Sequence, residues 1–513
     1  MIAVMSQVSD ENSQLYGLSY MFEVKTFLLV FFITLLLAKF IQSVKNWKKT
    51  PPGPWGFPII GHLPLLGKHP HKTLNDFGKQ YGDIFSIRMG SWPTVILNSR
   101  DAIYEAFVKK SEHFADRPGF FSAKMLNNQR SLAFGKYDAR WKMHRKIGNN
   151  VLRMFASVKN NPVEESIQKE AIDLTRELIH NTNSQNLDPR EFIFLAVGSV
   201  LYQICYGKDE QCKERDDFRF QVLQTKAFIE FTGAGNPVDV MPWLRFFMPW
   251  KVNGFKNLIK TSQNFRGKKI EEHLQTFDEN NLRDAADGFI LAGKEVGDLD
   301  KSSSGITKED IHSSLSDITG AGFETVATTL EWCLLYASVF PEVQQKVQME
   351  IDNVIGQRYP GIKDRGKMPY TEATILEVLR MCTIAPLGIP HATTNDVMLR
   401  DFFIPKGTVV FANLYSVSFD KTFWTDPEKF QPERFLTNNN EIDQEKAEYV
   451  LSFGAGRRRC LGEFLAKMEL FIFFTTLLQQ CNFEMLEGTN YTLEGITGLT
   501  NKNVPFKIKV SSR

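Results

Sequence analysis

Near its C-terminal end the chain reads Phe453-Gly454-Ala455-Gly456-Arg457-Arg458-Arg459-Cys460-Leu461-Gly462, and no other stretch limits the possible folds as tightly. Glycines at 456 and 462 let the backbone turn closely around one sulfur, so that N–H groups can aim at it. A helical apolar pattern begins at once at Leu461 and runs to about Leu478, placing the sulfur at a helix N-terminus, where the macrodipole favours negative charge. Both effects are expected to lower the thiol pKa and give a metal-ligating thiolate. Phe, Gly, Arg, Cys and Gly fall at the spacing F-x-x-G-x-R-x-C-x-G, which is too specific for an inert cysteine in a glycine-rich loop.

A body must be built around that loop, and 513 residues at 43% hydrophobic and 12% aromatic can bury a large core. Ile84 to Met89 and Thr94 to Leu97 flank Gly90-Ser91 and read as two short strands joined by a turn, with further strand signals around Pro405-Lys406-Gly407 and at Phe506 to Val510. Most of the remainder reads as helix, without a fixed-period repeat, so the expected class is mainly α with small β-sheets. The polar gap from Asn281 to Gly305 reads as a surface connection between helices. Six cysteines (Cys205, Cys212, Cys333, Cys382, Cys460, Cys481) lie far apart with no C-x-x-C pair, which argues against a zinc site or disulfide framework and for a reducing compartment. A formal charge of +2 gives no global field to recruit nucleic acid, so any charged docking surface is local.

At the other end, an apolar run from about Val24 to Val44 is long enough to span a bilayer, with Lys25 and Lys39 placed to snorkel. Lys39, Lys45, Lys48 and Lys49 follow it and should stay cytoplasmic. No basic region leads the run and the first arginine is Arg88, which fits neither a cleaved signal nor a mitochondrial transit peptide. The expected organisation is a short lumenal N-terminus (1–23), a transmembrane anchor (24–44), a basic, proline-rich hinge (45–61, with Pro51-Pro52-Gly53-Pro54) and one catalytic domain (62–513).

Between these ends, Asp317 to Thr329 lies in a segment of helical spacing (Ile311, Leu315, Ile318) that Thr307 can cap and Pro341 limits. Gly320 and Gly322 weaken a helix interior by roughly 1 kcal/mol each, so a close-approaching ligand is expected there. Thr325 follows Ala321 by one turn, so its hydroxyl can bond the Ala321 carbonyl or a ligand, and Glu324 supplies a titratable neighbour. Glu377-Val378-Leu379-Arg380 sets an acid and a base one turn apart, Pro432-Glu433-Arg434-Phe435 reads as a turn, and Trp141 and Arg145 share a helix face with donors suited to carboxylates.

With these motifs in this order the sequence resembles the cytochrome P-450 family over nearly the whole chain after the anchor. The resemblance implies the cytochrome P-450 fold, with haem b (iron protoporphyrin) as cofactor and Cys460 as the axial iron ligand, a thiolate that promotes O–O cleavage. It implies further that Trp141, Arg145, His391 and Arg458 meet the haem propionates, that Glu324 and Thr325 organise protons on the oxygen side, and that Glu377, Arg380 and Arg434 form a buried support for the cysteine loop. The substrate pocket is expected around Phe120, Phe121, Phe228, Phe231, Ala321, Gly322, Leu387, Ile389 and Leu499.

No G-x-G-x-x-G fingerprint follows a strand, so NADPH-derived electrons are expected from a separate NADPH-cytochrome P-450 reductase, with cytochrome b5 as a second donor. Lys142, Arg145, Lys146, Arg457, Arg459 and Lys467 would steer it. The chain looks most like the animal microsomal group that contains the aryl hydrocarbon hydroxylases (Gly320-Ala321-Gly322-Phe323, Ile389-Pro390-His391-Ala392) and the steroid 17-alpha-hydroxylase/17,20-lyase (Glu324, Leu493-Glu494-Gly495-Ile496). The expected activity is insertion of one atom of O2 into a lipophilic planar aromatic or steroid, at the cytoplasmic face of the endoplasmic reticulum membrane. Val240 to Trp250, rich in Trp, Phe and Met, is expected to dip into lipid. The alternatives are a haem-thiolate isomerase or dehydratase acting on peroxides without a reductase, against which Glu324 and Thr325 count, and a non-catalytic haem-binding membrane protein.

Overall fold

The computed structural model describes residues 50–126, 130–156, 162–181, 187–207, 236–297, 305–486 and 491–513, with isolated positions 26, 27, 30, 31, 34, 218, 219, 231, 299 and 488. The expected anchor at 24–44 and the expected pocket residue Phe228 therefore fall outside the described residues or nearly so. Among the described residues no helix is long and apolar enough to cross a membrane.

Helices dominate, as the apolar spacing predicts. The longer ones are α1 (Pro70–Tyr81), α2 (Ala139–Ala156), α3 (Pro162–Asn181), α4 (Arg190–Tyr206), α5 (Pro249–Gln275), α6 (Ala285–Val296), α7 (Lys308–Val339), α8 (Pro341–Val354), α9 (Pro369–Cys382) and α10 (Glu463–Gln480). Through the centre runs α7, started by a capping box between Thr307 and Asp310 and stopped before Pro341. Around it pack α3, α4, α9 and α10, and their apolar faces form the largest core. Helix α10 buries Leu465, Met468, Phe471, Ile472, Phe474 and Leu478, so it is enclosed on every side.

Strands β1 (Ile84–Met89) and β2 (Trp92–Leu97) form the expected hairpin, with Gly90 at φ +57° in its turn. The two strand signals around Pro405-Lys406-Gly407 do not pair with each other. β4 (Val397–Leu399) pairs with β5 (Phe402–Ile404), whereas β6 (Val409–Ala412) runs parallel to β2 and carries β3 (His391–Ala392) on its far side. A two-stranded sheet of β7 (Cys481–Met485) and β10 (Ile508–Ser512) closes the chain's end, and β8 (Ile496–Thr497) and β9 (Asn501–Lys502) make a small hairpin.

One expectation, that the polar gap is a surface connection, is corrected. The polar gap contains α6, capped by Asp284 and burying Ala285, Ala286, Phe289 and Ile290. Its apolar residues do recur one turn apart, but the acidic and glycine-rich flanks mask them. The proline-rich segment is docked on the body: Ser86 N–H donates to Pro52 O at 2.7 Å, His62 N–H to Arg88 O at 2.7 Å, and a Cβ on Gly53 would stand 1.9 Å from Ser86 O. Prolines cannot extend a helix, but they do fit an extended strip laid along a sheet edge.

Candidate active site

Cys460 sits just before α10. Its N–H donates to Phe453 O at 2.8 Å, which closes the loop, while the Gly462 N–H points at the sulfur. Gly456 has φ +70° and a Cβ there would lie 1.8 Å from Phe107 O, so only glycine fits. Gly462 differs from expectation. It has φ −88° and open space around it, and it serves through its N–H. The Cys460 side chain is accessible, yet protein crowds its sulfur and burial pushes the thiol pKa up; Gly462 N–H pulls it down, Glu463 pushes it up, and Arg145 and Arg459 pull it down. The loop donor acts in the direction the sequence leads one to expect, and burial opposes it. A metal ion bound at the sulfur would supply the missing positive charge.

Four cationic or imidazole side chains gather beside this loop. Arg458, on the turn Gly456–Arg458, donates to Ala115 O at 2.8 Å and Gly135 O at 2.6 Å, and its guanidinium stacks 3.7 Å over the Trp141 ring. Arg117, which the sequence reading missed, donates to Ala133 O, Ile389 O and Pro390 O, each at 2.9 Å. Arg145 donates to Arg459 O. Burial, with Arg458 and Arg145 close by, pulls Arg117 well below the usual guanidinium value, and burial pulls Arg458 down to about 9. Neither finds a carboxylate: all the hydrogen bonds of Arg117 and Arg458 among the described residues go to backbone carbonyls. Asp116 lies close enough to pull both guanidinium values up, but no carboxylate is hydrogen-bonded to either buried cation, so this donor set suits a ligand that brings carboxylates, as haem b does.

Two members of the expected set behave differently. Trp141 spends its indole N–H on Leu132 O at 2.9 Å and acts as a platform for Arg458. His391 is buried, bonds Phe114 O through Nδ1 at 2.7 Å and stacks on Phe107, while burial and Arg117 push its pKa well down. The neutral ring then leaves Nε2 as an acceptor. The faint signal for Arg117 in sequence was a basic residue before a proline in a mixed stretch, which has no periodicity.

In mid-helix, α7 opens to a groove. Ala321 is exposed and Gly320 and Thr325 are partly so, although the helix from Val326 to Ser338 is buried. The Thr325 hydroxyl donates to Ala321 O at 2.7 Å, one of the two partners expected. Gly320 faces open space, but Gly322 does not line the groove: its Cβ would press on the Leu201 side chain at 3.1 Å, so it is the closeness of α4 that requires the glycine. Glu324 points away from the groove and is buried. Its Oε1 accepts from Thr500 at 3.3 Å and pairs with Lys502 at 2.5 Å, while Oε2 has no partner among the described residues.

An apolar cavity lies under the β-sheet, walled by Trp92, Phe120, Leu126, Phe134, Phe411 and Leu499, with Asp239 and Ser122 joined across it (2.7 and 2.6 Å). Of the expected pocket residues, Phe120 and Leu499 line it, and Gly388 and Pro390 do so beside Leu387 and Ile389. Phe121, Phe231, Ala321 and Gly322 are not in its wall. Phe231 stacks on Phe255 at 3.9 Å, and Arg245 covers Phe121.

Behind the cysteine loop, Glu377 and Arg380 are wholly buried and paired through two hydrogen bonds (2.7 and 2.8 Å), and Arg434 Nε adds a third at 2.9 Å. The remaining Arg380 donors reach Ser418 O and Pro427 O. Ser452 donates to Leu379 O at 3.3 Å, tying the loop to α9.

A family model described as Cytochrome P450 matches residues 51–510. The chain is 37% identical over 465 residues to "Cytochrome P450 1A1" of Macaca mulatta (89% of this chain, 90% of the relative). It is 37% identical over 473 residues to the Homo sapiens protein of the same name (90% and 92%), and 36% identical over 473 residues to "Cytochrome P450 1A5" of Gallus gallus (90% and 89%). The family model and these relatives cover nearly the whole described body, and the chain belongs to the cytochrome P450 family as a haem-dependent monooxygenase.

Proposed function

We propose that Cys460 Sγ is the axial ligand of haem b, that Arg117, Arg145 and Arg458 receive its propionates with Trp141 and His391 packed against them, and that the α7 groove at Ala321 and Thr325 is the oxygen side. Bound haem supplies the reductive activation of O2. The residues of this chain do the rest. Thr325 Oγ1 holds a proton above Ala321 O and can present it to the groove. Glu324, bonded to the part-exposed Lys502, links that turn of the helix to solvent, and its Oε2, without a partner among the described residues, can accept a hydrogen bond. The aromatic cavity excludes water and orients a lipophilic, flat substrate, a planar aromatic or a steroid.

Electrons come from NADPH through a separate reductase, with cytochrome b5 as a second donor. Lys142 and Lys146 are exposed beside Arg457 and Arg459, whereas Glu112 and Glu463 partly neutralise the last two and Lys467, so Lys142 and Lys146 carry most of the attraction. Residues 24–44 anchor the chain in the endoplasmic reticulum membrane, with 62–513 as one catalytic domain on the cytoplasmic face. Exposed Trp243, Phe246, Phe247 and Trp250 support a lipid-dipping edge. Exposed Trp55, Phe57 and Ile59 adjoin it through Gly90 N–H to Ile60 O (3.2 Å) and Ser91 N–H to Val240 O (2.8 Å).

The observation that carries this reading is the pair of buried arginines with no carboxylate hydrogen-bonded to them, beside an accessible cysteine. Reduced protein under carbon monoxide is expected to show the red-shifted Soret band of a sulfur-ligated haem, and Cys460→Ser to abolish it. An unchanged spectrum in Cys460→Ser overturns the assignment.

A further inference from the structure

Asp317 has no part in the chemistry proposed above, yet it stands two turns before Thr325 on α7 with its carboxylate buried. Its Oδ2 accepts the N–H groups of Leu132 at 2.6 Å and Ala133 at 3.2 Å, and the Ser131 hydroxyl also bonds to it. The peptide planes it grips have a second use. In a planar trans peptide the N–H and C=O point in opposite directions, so holding one aims the other. The plane that offers Ala133 N–H to Asp317 offers Leu132 O to Trp141 Nε1 (2.9 Å) and Arg458 (3.4 Å). The next plane offers Phe134 N–H to Ser131 Oγ (2.8 Å) and Ala133 O to Arg117 Nε (2.9 Å). Phe134, at the end of this turn, puts its ring in the cavity wall.

We propose that Asp317 is a positioning residue: through the turn 131–134 it aims the carbonyls that hold Arg117 and Arg458 and seats Phe134, so that one carboxylate on the oxygen-side helix governs both haem retention and cavity shape. The inference rests on the reading that Arg117 and Arg458 hold the haem. The groups facing Asp317 are the two N–H donors and Ser131 from the turn, and Arg266 from α5, itself buried against Tyr206 and Cys205 of α4. Burial lifts the carboxyl to about 6 against those pulls, so the clamp begins to protonate at mildly acidic pH. A protonated carboxyl loses acceptor strength towards all three donors.

The test uses the holoenzyme and measures transfer of haem to an excess of a haem-scavenging apoprotein from pH 5 to pH 8. Wild type is expected to lose haem faster below about pH 6. Asp317→Asn is expected to lose it on the order of tenfold faster at pH 7.5, with the acid step gone, as befits one weakened charge-assisted bond. Binding of a lipophilic ligand, read from the haem spin-state band, is expected to weaken in the same variant. Should Asp317→Asn fail to hold haem at all, Asp317→Glu decides: recovered haem supports the clamp and no recovery overturns it. Arg458→Ala separates the two layers. Fast haem loss in Arg458→Ala with wild-type rates and pH profile in Asp317→Asn overturns this inference alone, while wild-type retention in Arg458→Ala sinks the propionate reading beneath it.

Discussion

The two sides of the cysteine loop are built on opposite principles. Behind it, Glu377, Arg380 and Arg434 form a fully buried network in which nearly every donor has one specific acceptor. In front, across α7, the cavity is enclosed by aromatic and aliphatic surfaces with one polar seam, Asp239 to Ser122. A matched polar network tolerates no substitution, because each loss strands a buried charge. An apolar wall tolerates many, because any ring of suitable size closes it. On the function proposed above, the first side would fix what reaction occurs and the second which molecule undergoes it.

This contrast can be broken most sharply from behind. Arg380→Ala leaves the Glu377 carboxylate, at zero exposure, with Arg434 as its remaining cation and deprives the Ser418 and Pro427 carbonyls of their donor; it is expected to cost about 3–5 kcal/mol, seen as a lowered thermal unfolding midpoint and poor haem incorporation. Wild-type stability in that variant would remove the distinction between the two sides. Thr325→Ala should leave stability within about 0.5 kcal/mol, since its hydroxyl only bonds back to Ala321. Oxygen consumption is expected to continue while peroxide release rises and product falls; undiminished coupling would deny Thr325 its role. At the cavity, Phe120→Ala removes a half-buried ring that meets Trp92 edge-on at 5.6 Å. It should barely move unfolding but shift the kcat/KM ratio between a planar aromatic and a steroid by on the order of tenfold. An unchanged ratio would place the selective surface elsewhere.

The same contrast explains what was legible in the sequence. The network of Glu377, Arg380 and Arg434 was legible only through the family resemblance, since an acid and a base one turn apart are common on helices, whereas the cysteine loop was readable because its residue types stand at fixed spacing. Thr307 and Pro341 marked the ends of α7 for a similar reason, since caps and prolines act through local chemistry. Arg117 was missed because its carbonyl partners at 133, 389 and 390 come from distant segments and any backbone can supply them. Of the expected pocket residues, Phe120 and Leu499 line the cavity under the sheet, whereas Gly322 packs on Leu201 and Phe231 on Phe255. An aromatic in sequence does not announce which neighbour it will meet. How strongly burial opposes the loop donor at Cys460 was not legible, because the donor is local and visible in sequence, whereas burial is a property of the assembled whole.

The hairpin of β8 and β9 joins what the rest of the molecule keeps apart. Leu499 touches the cavity, Thr500 and Lys502 grip Glu324, and Trp332 of α7 pins Asn501 O at 3.0 Å. On the function proposed above, a handful of consecutive codons therefore encodes both the fit of the molecule to be oxidised and the placement of the acid proposed to serve the oxidation. Mutational drift in this stretch alters the two together, so new preferences acquired here arrive already linked to a new efficiency.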